Sequence, residues 1–222
     1  MKRPISISTF ALAVSMLCLS SASRAAAPVG DDILASLSRC DGSFFENLQR
    51  QEAVLSASPH FVKAAGVAYF KVADRTDPAG STRRFAAPLK ISGLDAVAYF
   101  DENMGLSGDE AFISWGFLLR ASVDEVLQAT QGKVWDGSRL LQDGSSYTRT
   151  EWRDANQADS SWQKVETPGG AEPQPGTVER ILVIEAYDKD PALTRFGCTL
   201  QGTVTPALLK AARPDLKSAK SK

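Results

Sequence analysis

The stretch that most restricts this chain runs from Ala111 to Thr130, AFISWGFLLR followed by ASVDEVLQAT. Ile113, Trp115, Phe117 and Leu119 alternate with Phe112, Ser114, Gly116 and Leu118. One face is strongly apolar and the other mixed, which predicts a strand well inside a sheet. Ser122 then opens an S-x-x-E pattern that ends at Glu125. This is a capping box, in which the serine hydroxyl accepts from an early helical N–H and the glutamate reaches back to the serine N–H. Val123, Val126, Leu127 and Thr130 follow at helical spacing. A core strand that turns directly into an amphipathic helix leaves few architectures open, and the remaining chain must pack around this unit.

The first 27 residues read as a secretory leader and not as part of that fold. Lys2 and Arg3 form a basic start, Phe10 to Leu19 a short apolar core, and Ala25-Ala26-Ala27 a cleavage site. The apolar run is too short for a stable membrane span. Leu17 before Cys18 does not suit lipid attachment, and no twin-arginine signal is present. Cleavage leaves one domain's worth of chain, expected over residues 28–213, with 214–222 as a flexible basic tail. The leader carries three of the 25 basic residues and none of the 26 acidic ones, so the mature formal charge is −4. That balance argues against nucleic acid or an anionic membrane as a general partner. No later apolar run reaches the length of a membrane helix.

Two cysteines survive cleavage, Cys40 and Cys198. In an oxidising compartment they read as one disulfide, tying the first helix to the last strand. A loop this long gives a chain-entropy stabilisation of about 5 kcal/mol as an upper figure.

Asp31 and Asp32 are candidate N-caps. Ile33, Leu34, Leu37, Cys40, Phe44, Phe45 and Leu48 then fall at spacings of three and four, predicting a helix over about 32–55. Gly42 weakens its middle, for close packing or as a break between two shorter helices. Phe61 to Ala73 reads as a strand, and Asp74 to Arg84 as a polar loop. Residues 89–100 read as a strand or bulged pair with Gly93 as the bulge, and Asp101 to Glu110 as a turn. Tyr147 to Trp152 reads as a hairpin partner after the Asp143-Gly144 turn. Val178 to Tyr187 and Phe196 to Val204 are further strands, and Thr205-Pro206 starts a short helix. The connections are too short for helical crossovers. The class expected is therefore α+β: an antiparallel sheet of about six or seven strands, with an N-terminal helix and a second helix on one face. Thr167 to Thr177 is rich in Pro and Gly and reads as an exposed loop.

No nucleophile elbow, zinc-protease, phosphate-loop or dinucleotide fingerprint is present, and no cofactor or metal site is expected. His60 is the only histidine, at a helix-to-strand corner, so histidine-based chemistry must use it or not occur. Glu185, within ILVIEAY, could be a buried general acid, lie on a wet face, or pair with Arg180 or Arg120. A glycosidase would need a second carboxylate, for which Glu151 and Asp154 are candidates. Asp101, Glu102, Asp109 and Glu110 could offer oxygen ligands to calcium, and Asp188-Lys189-Asp190 opens like an EF-hand, but neither spacing completes such a loop. The most suggestive cluster is Tyr147, Arg149, Trp152, Arg153 and Trp162, residue types that dominate binding hot spots. Its alternative is an edge strand whose tryptophan packs inward. The reading is a non-enzymatic exported binding protein that engages another protein, such as an inhibitor or immunity protein of an envelope enzyme. A carboxylate-dependent envelope hydrolase and a carrier of a small apolar ligand are the alternatives.

Overall fold

In a computed structural model, residues 31–64, 66–105, 110–157, 161–167 and 172–216 are described. The leader, Asp109, the middle of the Pro/Gly loop and the last six residues lie outside them, as do the side chains of Asp31 and Asp32. The ten-strand, five-helix order begins with three short helices: α1 (Asp31–Leu37), α2 (Ser43–Arg50) and α3 (Glu52–Leu55). The single helix read over 32–55 is thus broken. Cys40 takes a positive φ of 54°. Gly42 donates its N–H to the Ala211 carbonyl at 3.0 Å, and a Cβ there would sit 2.8 Å from that oxygen. Both reasons for a glycine hold: it marks the break and admits a close backbone neighbour.

Phe61 to Ala73 folds as a hairpin and not as one strand. Gly66, with φ of 93°, turns β1 (Phe61–Ala64) into β2 (Val67–Phe70). The main sheet has eight strands, more than the six or seven expected, and every pairing in it is antiparallel. Its members are β3 (Thr82–Ile91), β4 (Leu94–Gly105), β5 (Glu110–Leu119), β6 (Leu141–Asp143), β7 (Ser146–Asp154), β8 (Gln163–Lys164), β9 (Thr177–Tyr187) and β10 (Asp190–Thr203). The order is β3-β4-β5-β10-β9-β7-β6, with β8 also on β7. Gly93 is a turn glycine between β3 and β4, with Ser92 also at positive φ, and not a bulge. Asp101 and Glu102, read as a turn, lie inside β4. The strand-to-helix junction forms as read: α4 (Val123–Thr130) starts at a complete Ser122/Glu125 capping box. α5 (Pro206–Ala212) is capped by Thr205, with Pro206 in its first turn. Five short helices beside a mostly antiparallel sheet fit the α+β class.

The main core lies between the helices and one face of the sheet. Trp115, Phe117 and Leu119 of β5 and Phe196, Cys198 and Leu200 of β10 are buried there with Phe44, Phe45 and Leu48 of α2. Phe117 meets Phe44, Phe70 and Tyr99 at ring-centroid distances of 6.0, 6.0 and 5.5 Å. Cys40 and Cys198 are bonded, which locks the end of α1 onto β10 at the centre of the sheet. No helix among the described residues is long and apolar enough to cross a membrane.

The chain stays packed beyond the expected domain end at 213. Arg213 and Asp215 are buried. The Arg213 guanidinium donates to both oxygens of Asp101 at 2.9 Å and to both of Asp215 at 2.9 and 2.8 Å. Arg75 adds a bond to Asp101 at 2.6 Å. Burial alone would raise the Asp101 pKa, but Arg213 and Arg75 outweigh it and hold the carboxyl below its ordinary value.

Candidate functional site

Strand alternation sends every second residue of the central strands away from the helices. On β5 these are Phe112, Ser114, Gly116 and Leu118. The pairing register extends them into rows across five strands. One row runs Met104, Phe112, Gln201, Glu179, Trp152, and the next runs Glu102, Ser114, Thr199, Ile181, Thr150. Glycines occupy the middle of a third row, where Gly116 opposes Gly197. A Cβ on Gly116 would lie 2.3 Å from the Phe196 carbonyl oxygen, and one on Gly197 would lie 2.5 Å from the Phe100 ring. The missing side chains let Phe100 lean across the sheet, and the Arg195 guanidinium stacks on that ring at 3.9 Å.

The face is concave. A hollow of about 400 Å³ is lined by Glu102 and Met104 from β4 on one side, and by Asp143, Ser146 and Thr148 from β6 and β7 on the other. Strands that far apart in the sheet border one hollow only if the sheet curls. Its floor is apolar at Phe112, Ile181 and Val183. Arg195 organises the polar part. It donates to Glu102 at 2.7 Å and to the Ser114 hydroxyl at 2.9 Å. Glu185 lies farther off, at 3.9 Å from Arg195. Burial pushes the Glu185 carboxyl above its ordinary pKa, and Arg195 only partly offsets this. Three acidic side chains and one basic line the hollow, so its potential is negative. Three large hydrophobic residues are notably exposed among the described residues: Val54 at 47%, Met104 at 52% and Trp152 at 39%. Two of them, Met104 and Trp152, stand at opposite ends of the same row on this face.

The five residues singled out in sequence do not form one patch. β7 is interior, bordered by β9, β6 and β8, so the edge-strand alternative fails. Tyr147, Arg149 and Arg153 alternate onto the helix-covered face, and Trp152 onto the open one. Arg149 is 1% exposed; its guanidinium donates to the Ser38 carbonyl at 2.6 Å and to that of Trp135. It is committed to holding two loops. Tyr147 packs at the edge of the core, beside a hollow of about 530 Å³ that also touches Leu127, Val134 and Leu140. Arg153 lies over the Trp162 ring at 5.8 Å, and Arg180 over the same ring at 4.5 Å.

The remaining candidates separate as well. Glu151 is buried on the covered face, where Arg180 donates to it at 2.8 Å. Glu185 is on the opposite face, so these two cannot flank one bond, and neither Arg180 nor Arg120 partners Glu185. Asp154 ends β7 beside a different hollow, with Trp152 and Arg153. Asp101 and Glu102 point to opposite faces of β4, and Asp188-Lys189 is the β9–β10 hairpin turn. No group of three or more His, Cys, Asp or Glu side chains among the described residues could hold a metal. His60 is part-exposed just before β1, away from these hollows. Sequence reasoning missed Met104, Glu102 and Arg195 as neighbours. The alternation of β4 and β10 was a usable signal for each strand, but only strand order brings them together.

Compared with family models, curated proteins and solved structures, the chain matches none. Its function must be argued from this face.

Proposed function

We propose that the chain is an exported, disulfide-stabilised binding protein that engages another protein through the open concave face of its sheet. One observation carries the reading: Met104 and Trp152 are exposed on a single row of this face, Met104 lining the negatively charged hollow and Trp152 a separate one. Apolar surface rimmed by polar residues marks interaction sites, and here the apolar floor of Phe112, Ile181 and Val183 adjoins exposed Met104. The complement is a protein patch with two apolar contacts bracketing a lysine or arginine. Trp152 is the anchor kept from the sequence reading; Trp162 and Arg153 lie toward the same end of β7, while Arg149 and Tyr147 support the scaffold. An inhibitor or immunity protein of an envelope enzyme is the finer form of this reading. The mature, oxidised chain should capture one envelope protein that Trp152→Ala and Met104→Ala each release, at a cost of about 2 kcal/mol for the tryptophan. Capture that survives both substitutions overturns the reading.

Glu185 supports a second one, a carboxylate-dependent hydrolase, because burial raises its pKa within a hollow that also holds Glu102. An activity on envelope material abolished by Glu185→Gln, with the fold intact, would favour it. The hollow beside Tyr147 supports the carrier reading, which a ligand co-purifying with the protein would favour.

A further inference from the structure

On the other side of the molecule, α1, α2 and the segment after α4 enclose a hollow of about 300 Å³. Arg39, Arg50, Lys133, Trp135, Ser36 and Asn47 line it, and among the described residues no acidic side chain does. Neither Arg39 nor Arg50 makes an ion pair among the described residues. Glu46 and Glu52 flank Arg50 on its far side, around a separate hollow.

The cations gather around one ring. Arg39 lies 5.5 Å, Arg149 4.6 Å and Arg180 5.5 Å from the Trp135 centroid. Only Arg180 has a carboxylate partner, Glu151. Arg149 is buried, hydrogen-bonded to two carbonyls, and its Nε has no partner. Burial of this insufficiently neutralised charge lowers its pKa to about 10. Buried guanidinium groups are ordinarily matched by carboxylates. Arg39, Arg50 and Arg149 instead gather here with no carboxylate ion pair among the described residues.

The place is also rigid. The Trp135 N–H donates to the Ser38 hydroxyl at 2.9 Å, Arg149 ties both segments from behind, and the disulfide at Cys40 fixes the adjoining loop. Asn47 donates to the Ser36 hydroxyl at 3.0 Å and joins the two helices that form the wall. A site held before its ligand arrives loses less entropy on binding.

We infer that the hollow between α1, α2 and Trp135 binds a phosphate-bearing ligand, with Arg39 and Arg50 taking the phosphate oxygens. Arginine forks and lysine ammonium groups are the usual partners of such oxygens. Trp135 provides an apolar wall for whatever the phosphate is attached to. The site is separate from the open sheet face and does not depend on the protein-binding reading.

The test is calorimetric titration of the mature, oxidised protein with inorganic pyrophosphate at fixed ionic strength. Alongside it runs a flotation assay with phosphatidylcholine vesicles with and without phosphatidic acid. Pyrophosphate should bind, and Arg39→Gln and Arg50→Gln should each weaken it roughly ten-fold or more. Both side chains are exposed, so neither change endangers the fold. Arg195→Gln, on the sheet face, should leave it unchanged. Additional binding to phosphatidic acid vesicles, lost with the same variants, assigns the phosphate to a lipid headgroup; pyrophosphate alone assigns a soluble ligand. Absence of binding to both probes overturns the inference. So does binding that Arg39→Gln and Arg50→Gln leave intact.

Discussion

Arg213 and Arg195 each meet two carboxylates, on opposite sides of one sheet. Arg213 is sealed under α2, 0% exposed, between the rings of Phe45 and Trp115 at 5.0 Å each. Asp101 and Asp215 saturate it, and their charges raise its pKa against the cost of burial. Arg195 keeps 17% of its side chain exposed, takes Glu102 closely, and leaves Glu185 at 3.9 Å. The difference is coverage. Where helices close over the sheet, Arg213 is matched by two carboxylates and the cluster becomes a structural lock. Where nothing covers the sheet, water tolerates the looser match at Glu185.

The largest expected effect comes from breaking the lock. Asp101→Ala removes one of the two carboxylates that neutralise buried Arg213 and should cost about 3 kcal/mol in urea unfolding, whereas Glu102→Ala on the other face should cost under about 1 kcal/mol. Equal losses would erase the distinction. The lock is also acid-sensitive. The Asp101 pKa is depressed in the fold, so its contribution is complete above the unfolded value near 3.8 and disappears as pH falls through the folded value. Stability measured against pH should show this acid loss in the native chain and a smaller one in Asp101→Asn.

Next in size is the disulfide. Replacing Cys40 and Cys198 by alanine should cost about 2–5 kcal/mol, read as a shifted urea midpoint. Under conditions where that variant is folded, partner binding at the open face should persist, because the bond lies on the covered side.

Trp152→Ala should reverse the pattern. Stability should change by less than about 1 kcal/mol, as for an exposed side chain, while partner affinity falls by about 2 kcal/mol. Glu185→Gln is the smallest effect and has a defined sign. A carboxyl whose folded pKa lies above its unfolded one is neutral at no cost at low pH, and it costs stability progressively as pH rises from the unfolded value through the folded one. The glutamine variant should therefore equal the native chain near pH 4 and be slightly more stable at pH 7, as measured by thermal melts at both.

The covered side was far more legible in sequence than the open one. Trp115 and Phe117 announced their face by alternation, Ser122 and Glu125 announced the helix, and two cysteines left one pairing. The Arg213 cluster was not legible because Asp215 stands between a Pro and a run of lysines that resemble a tail, and Asp101 lies more than a hundred residues away. Local pattern carries no information about a charge pair closed by topology. The same limit hid the open face. Trp152 was noticed for its residue type, but Met104 became its counterpart only because β10 inserts between β5 and β9. Arg149 and Trp152 are three residues apart on a strand, and odd separations point to opposite faces, so period two by itself separated them.

The most direct measurement is hydroxyl-radical footprinting of the mature protein alone and with its captured partner. Free protein should label at Met104, Trp152 and Val54, the three exposed large hydrophobic residues. In the complex, Met104 and Trp152 should be protected together while Val54, on the helical side, stays reactive. Protection of Val54 with Met104 and Trp152 still labelling would contradict the account and move the interface off the sheet.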